Sequence, residues 1–218
     1  MEKKSLSSIV YDNLKGKILN NELLPGDKLI EMDIAKELGV SRTPVREALS
    51  RLDDEGLVEN FPRKSYIVSK ISMKKAKDLY DVRTALEPLA VKLLAQEGIS
   101  KRTQELEDIV TRLIVAFEEN DLESTKVEIM NWSNALINFT QNSILRDTLF
   151  VINERLYRFA NFIFKEENNI KEVYNNISGI YDAIESKNDQ KAFDLSYNYV
   201  SSIYPMLESQ SDYKMFRF

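Results

Sequence analysis

The spacing of apolar residues predicts three short helices in the first third of the chain. Between Leu6 and Leu19, apolar residues recur every three or four positions, as on one face of an amphipathic helix. The same spacing returns on both sides of Gly39, over residues 34–38 and 45–52. Glycine suits the left-handed conformation that ends many helices. The pattern therefore predicts two further helices joined by a tight turn.

The last of these three helices has one apolar and one polar face. Ser41 stands at the N-cap position, and Pro44 falls in the first turn, where its missing N–H costs nothing. At about 100° per residue, the apolar arc contains Val45, Ala48, Leu49 and Leu52, and the other arc contains Arg42, Thr43, Arg46 and Ser50. Arginines near the start of the second helix of such a pair are typical of a helix-turn-helix that contacts DNA.

The remaining pattern indicates two domains. Short apolar runs at residues 57–58 and 66–68 flank a basic turn and predict the two strands of a wing. From Met73 onward the spacing is helical, with breaks near residues 98–100, 120–121, 141–143, 166–169 and 187–189. We therefore expect a mainly α protein. Residues 1–71 form an N-terminal winged helix-turn-helix, and residues 72–218 form a C-terminal all-α antiparallel helical bundle.

Composition narrows the possible functions. The 218 residues include no histidine, no cysteine and only 6 glycines. The commonest general base, thiol chemistry, the usual zinc ligands and glycine-rich phosphate loops are therefore missing, and no enzyme is predicted. No signal-peptide-like segment and no apolar run of about 18 residues occur. We expect a cytoplasmic protein that does not interact with membranes.

The net charge of −5 does not exclude a nucleic-acid partner. Residues 1–70 contain as many basic as acidic residues, so the whole acidic excess lies in the second domain. Phosphate binding requires a basic patch that faces DNA, and it does not require a basic protein.

Three segments resemble the GntR family of bacterial transcription regulators. Residues 38–49 (LGVSRTPVREAL) match the core of that family's winged helix-turn-helix, and residues 24–29 resemble its L-x-P-G-x-x-L turn. The third segment is the wing, although Ser65 stands where many family wings carry glycine, which argues against a close approach to the minor groove. The resemblance implies DNA contacts by Arg42 and Arg46 to base edges or phosphates, by Ser41 and Thr43 to phosphates, and by Arg63 and Lys64 from the wing.

The second domain resembles the all-helical FCD effector domain of the FadR subfamily. Residues 79–90 contain the R-x-x-L-E signature of that domain, with Arg83 and Glu87 four residues apart on one helix face. Two interpretations stay open. The two residues form a structural ion pair, or Arg83 faces a central pocket and holds the carboxylate of an effector.

Many FCD domains bind a metal ion through one aspartate and three histidines. The resemblance places those four positions at Ile129, Ser133, about Ile177 and about Tyr199. None of these side chains coordinates a divalent cation well, so we expect no metal site and no other cofactor. Ser133 and Tyr199 are either packed helix residues or hydrogen-bonding partners of an effector in the vacated space.

The leading hypothesis is a regulator, most simply a repressor, that binds a pseudo-palindromic double-stranded DNA operator as a homodimer. A small organic or sugar acid bound in the bundle then modulates its affinity for the operator. One alternative is a helical ligand-binding or catalytic protein whose winged module contacts other proteins. Another is a regulator whose bundle only dimerises and binds no effector.

Overall fold

The computed structural model describes residues 4–61, 65–100, 103–210 and 216–217. Contacts within the chain define two compact units. The first unit comprises Met1–Met73 together with Asp212–Phe218, and the second unit comprises Lys74–Ser211. The sequence predicts a domain boundary between residues 71 and 72, and this position falls inside the two-residue strand Ile71–Ser72. The predicted boundary stays a prediction.

The first unit combines three helices with short strands. Its described elements are α1 (Leu6–Leu19), β1 (Lys28–Leu29), α2 (Glu31–Leu38), α3 (Arg42–Asp54), β2 (Val58–Phe61), β3 (Ser65–Val68), β4 (Ile71–Ser72) and β5 (Phe216–Arg217). The predicted wing strands are β2 and β3, which pair antiparallel with Val58 opposite Val68. On its other side β3 pairs with β1, which gives a three-stranded sheet in the order β1-β3-β2.

One strand contradicts the sequence-based expectation. The expectation of helix throughout residues 73–218 is wrong at β5, which pairs in parallel with β4, Ile71 opposite Phe216. Two residues are too few for alternating polarity to show, and the partner strand lies far away in sequence.

The apolar arc of α3 is fully buried, as the periodicity predicts. Val45, Ala48, Leu49 and Leu52 are each 0% exposed. They share a core with Val10, Leu14 and Ile18 of α1 and with Leu29, Val58 and Val68 of the sheet. Gly39 ends α2 in the left-handed conformation, with φ of 66°, so α3 can turn back onto this core. The opposite face of α3 is left exposed.

The second unit is built of helices. Its described elements continue the chain as α4 (Met73–Glu97, whose first residue belongs to the first unit), α5 (Gln104–Glu118), α6 (Leu122–Phe139), α7 (Ser143–Ile163), α8 (Glu167–Glu185) and α9 (Asp189–Glu208). Short connections join α5 to α6 and α8 to α9, and both pairs pack closely, as antiparallel neighbours do. Side-chain caps by Asp121, Asn142 and Asn188 begin α6, α7 and α9 at three of the predicted breaks. Among the described helices, none is long and apolar enough to cross a membrane.

Candidate DNA-binding surface and bundle cavity

The polar side chains of the first turns of α3 point away from the core. Ser41, Arg42, Thr43 and Arg46 are all exposed. The side chains of Arg42 and Arg46 are 61% and 63% exposed, and the two residues lie one helical turn apart. Ser41 occupies the N-cap position with no side-chain capping hydrogen bond, so its hydroxyl is not committed to the helix. The other two predicted DNA contacts, Arg63 and Lys64, lie outside the described residues.

A carboxylate that the sequence analysis missed connects the two arginines. Glu31, the first residue of α2, accepts hydrogen bonds from Arg46 Nε and Nη2, each at 3.0 Å, and from Arg42 Nη2 at 2.9 Å. The hydrogen bond from Arg46, followed by that from Arg42, lowers the pKa of Glu31 below its ordinary value despite some burial. The carboxylate is therefore ionised at neutral pH, and three charged groups share one exposed surface.

Contacts with α1 fix the far end of α3. The Tyr11 hydroxyl donates to Glu55 just after the helix, and Lys15 forms an ion pair with the same carboxylate at 3.1 Å. The guanidinium of Arg51 lies over the Tyr11 ring, 3.9 Å from its centre. These contacts stabilise the orientation in which α3 presents its polar face.

The bundle contains a small cavity of about 30 Å³. Its lining comprises Tyr80, Arg83, Ile129, Met130, Ser133, Asn153, Leu156, Tyr157, Ala160, Ile163, Phe164, Tyr199 and Ile203. The three residues predicted to bind an effector, Arg83, Ser133 and Tyr199, thus line one cavity although they come from three helices. Tyr80, Asn153 and Tyr157 are polar members that the sequence analysis missed. The position of Tyr80, one turn before Arg83, was a usable signal, whereas nothing in the sequence connects α7 to α4.

Arg83 is both an ion-pair partner and a cavity residue. Its Nε donates to Glu87 at 2.5 Å, and the two side chains are only 9% and 4% exposed. Burial opposes the charge on Arg83, but Glu87 outweighs it, and the pKa of Arg83 lies above its ordinary value. Among the described residues, the terminal nitrogens have one long contact, from Nη2 to Ser133 Oγ at 3.5 Å. The geometry therefore supports a structural ion pair and leaves donors that face the cavity.

Two buried tyrosines of the cavity are neutral. Burial raises the pKa of Tyr199 to about 12, and it raises that of Tyr80 as well, so both phenols keep their protons. The amide of Asn153 donates to Asn134 at 2.9 Å. The site thus offers one guanidinium, with its charge balanced by Glu87, and several hydroxyl groups.

The positions that bind metal in similar domains do not fit a metal ion here. Three of them, Ile129, Ser133 and Tyr199, line the cavity, and the fourth, Ile177, is fully buried. Isoleucine has no donor atom, and a serine hydroxyl or a protonated phenol is a weak ligand for a divalent cation. Within the described ranges, no group of three or more histidine, cysteine, aspartate or glutamate side chains is placed to hold a metal.

Comparison with known proteins identifies both units. The model of the bacterial regulatory proteins of the gntR family matches residues 6–68, and the FCD domain model matches residues 78–202. The HTH-type transcriptional regulator YdhC of Bacillus subtilis is 27% identical over 184 residues, which cover 84% of this chain and 82% of that protein. The HTH-type transcriptional regulator McbR of Escherichia coli is 32% identical over 123 residues, 56% of each chain.

A solved structure shows the same fold. The structure of E. coli McbR/YncC aligns with a TM-score of 0.78 at 24% identity and covers 96% of this chain and all of that one. At this identity the likeness supports the fold alone. The FCD model, however, spans more than half of the chain, and the gntR model covers the winged unit before it. The chain therefore belongs to the GntR family of bacterial transcription regulators, with a DNA-binding domain followed by an FCD domain, and it is not an enzyme.

Proposed function

We propose that the chain is a repressor that binds a pseudo-palindromic operator as a homodimer. The exposed polar face of α3 carries this proposal, because Ser41, Arg42, Thr43 and Arg46 share it while the opposite face is fully buried. An arginine fork recognises the O6 and N7 atoms of guanine, and hydroxyl groups at a helix N-terminus bind phosphates. The proposal also includes DNA contacts by Arg63 and Lys64, which the sequence predicts and which lie outside the described residues. Since such a regulator acts on the chromosome, we propose the cytoplasm as its compartment.

Two copies are needed because one winged unit contacts too few base pairs to select a genomic site. An apolar stripe on α4 supports self-association. Val82 and Leu89 are 46% and 39% exposed, and between them Ala85 is exposed and Leu86 is half-buried. These four residues follow the spacing of one helix face. A stripe of this kind can pack against its own copy across a two-fold axis.

The cavity supports a small organic or sugar acid as the effector. Arg83 offers its terminal nitrogens, a planar pair of donors that matches a carboxylate, and Ser133 and Tyr199 add hydroxyl groups. A cavity of about 30 Å³ holds one or two water molecules, so a larger ligand must displace side chains. Met130 in the lining is the most adaptable of them. A ligand that prefers the expanded bundle shifts the population of dimer geometries and thereby changes operator affinity.

Replacing Arg46 by alanine tests the DNA-binding part of the proposal. A duplex selected from a random-sequence pool by the wild-type chain serves as the probe, and fluorescence anisotropy measures its dissociation constant. Loss of a guanidinium on a base edge weakens binding by about 10- to 100-fold. Arg112→Ala is the matched control, since Arg112 forms a similar two-bond fork with Glu128 in the bundle. Equal affinities of wild type and Arg46→Ala contradict the proposed surface.

A further inference from the structure

We propose that Glu31 is a positioning and specificity-determining residue of the DNA-binding surface. Its carboxylate orients Arg42 and Arg46 before DNA arrives and opposes binding to duplexes that offer only phosphates. This inference rests on the proposed function, because it acts through the two arginines of α3. Glu31 lies on α2, outside the recognition helix, and its side chain is only 18% exposed.

The first argument is geometric. Arg46 donates through Nε and Nη2 to the two oxygens of Glu31, and this two-bond arrangement fixes the plane of its guanidinium. Among the described residues Glu31 is the only hydrogen-bond partner of Arg46, so Nη1 stays available at the tip. An arginine held along one edge in this way can still present its end to guanine O6 and N7. The long side chain then loses less rotamer freedom on binding.

The second argument is electrostatic. Arg42 and Arg46 stand one turn apart, where like charges repel. Glu31 lies between them and accepts from both, so it reduces that repulsion and holds the two guanidinium groups together. The burial of Glu31 matters as well, because a partly desolvated carboxylate interacts more strongly with its partners than a fully exposed one does.

The third argument concerns discrimination. Two arginines without a carboxylate would bind any phosphate backbone, since phosphate contacts carry no sequence information. The charge of Glu31 opposes a nearby phosphate, and the favourable base contacts of a correct site offset this cost. Specificity is a difference between two affinities, and an opposing charge raises it by weakening the unwanted complex.

The test compares Glu31→Gln, Glu31→Asp and wild type on two duplexes. One is the duplex selected by the wild-type chain, and the other is a scrambled duplex of the same composition, each titrated over a range of salt concentrations. Glu31→Gln is expected to bind the selected duplex about 2- to 10-fold more weakly. The entropic cost of ordering the long side chain of Arg46 on binding corresponds to a change in affinity of this size. It is also expected to bind the scrambled duplex more tightly, with a salt dependence steeper by about one phosphate contact.

Glu31→Asp separates orientation from charge, because it keeps the charge on a shorter side chain. It is expected to weaken binding to the selected duplex while binding the scrambled duplex like wild type. The matched control is Glu128→Gln, which removes the same charge from the similar fork with Arg112 in the bundle and should change neither affinity. Thermal melting of each variant establishes that it is folded, and if Glu31→Gln does not fold, Glu31→Asp decides the question.

An unchanged ratio of the two affinities in both Glu31 variants overturns the inference. A parallel rise in both affinities in Glu31→Gln also overturns it, because Glu31 is then only a repulsive charge. If Arg46→Ala weakens binding in the same assay while the Glu31 variants do not, the proposed function stands and this inference alone fails. If Arg46→Ala also leaves both affinities unchanged, the proposed DNA-binding surface itself fails.

Discussion

Replacing Glu87 by glutamine removes one charge from the buried pair in the bundle and leaves the side-chain shape almost unchanged. Arg83 keeps its charge even without the carboxylate, because a guanidinium is not deprotonated in proteins. With the two side chains 9% and 4% exposed, little water is available to take the place of the lost carboxylate. Breaking a buried pair typically costs about 3–5 kcal/mol. Since glutamine still accepts a hydrogen bond from Arg83, we expect a loss of about 3 kcal/mol.

The single tryptophan makes this loss measurable in the bundle alone. Trp132 is 1% exposed and lies on α6, so its fluorescence during urea titration reports unfolding of this unit. The double variant Arg83→Met, Glu87→Leu removes both charges and should stay within about 1 kcal/mol of wild type. The partly exposed pair Arg112–Glu128 is the control, and Glu128→Gln should cost less than about 1 kcal/mol. A loss below about 1 kcal/mol in Glu87→Gln, or an equal loss in the double variant, contradicts the argument from desolvation.

Two further predictions concern the effector and the dimer. Small organic or sugar acids should raise the melting temperature reported by Trp132, with or without EDTA, whereas matched amides should not. The double variant Arg83→Met, Glu87→Leu should lose this response, and stabilisation that requires a metal ion contradicts the conclusion that the cavity residues do not fit a metal. The wild type is expected to sediment as the proposed dimer, and Leu89→Asp, which places a charge in the apolar stripe of α4, should shift it toward monomer in sedimentation velocity. A wild-type monomer, or an unaffected dimer, removes this stripe from the interface.

Much of the fold follows from spacing alone. The periodicity of residues 45–52 predicted the buried arc of α3, and the left-handed Gly39 fits the predicted turn. The helix breaks after residue 98 also lie where polar and glycine residues interrupt the pattern. The strands β1 and β5 have two residues each, and they exist only through pairing with distant segments. Short elements of this kind depend on tertiary contacts, which local periodicity does not record.

The ion pairs at the two candidate sites also depend on tertiary contacts that the sequence pattern does not record. The pair Arg83–Glu87 was foreseeable, because residues four apart in a helix always share a face. The burial of this pair could not be foreseen, because a helical wheel shows which face a residue occupies and does not show what covers that face. Glu31 precedes Arg46 by 15 positions, and they meet only because the turn at Gly39 brings the start of α2 beside the start of α3. A sequence therefore indicates which cations can reach DNA, whereas the carboxylate that orients them becomes visible only when the crossing of two helices is known.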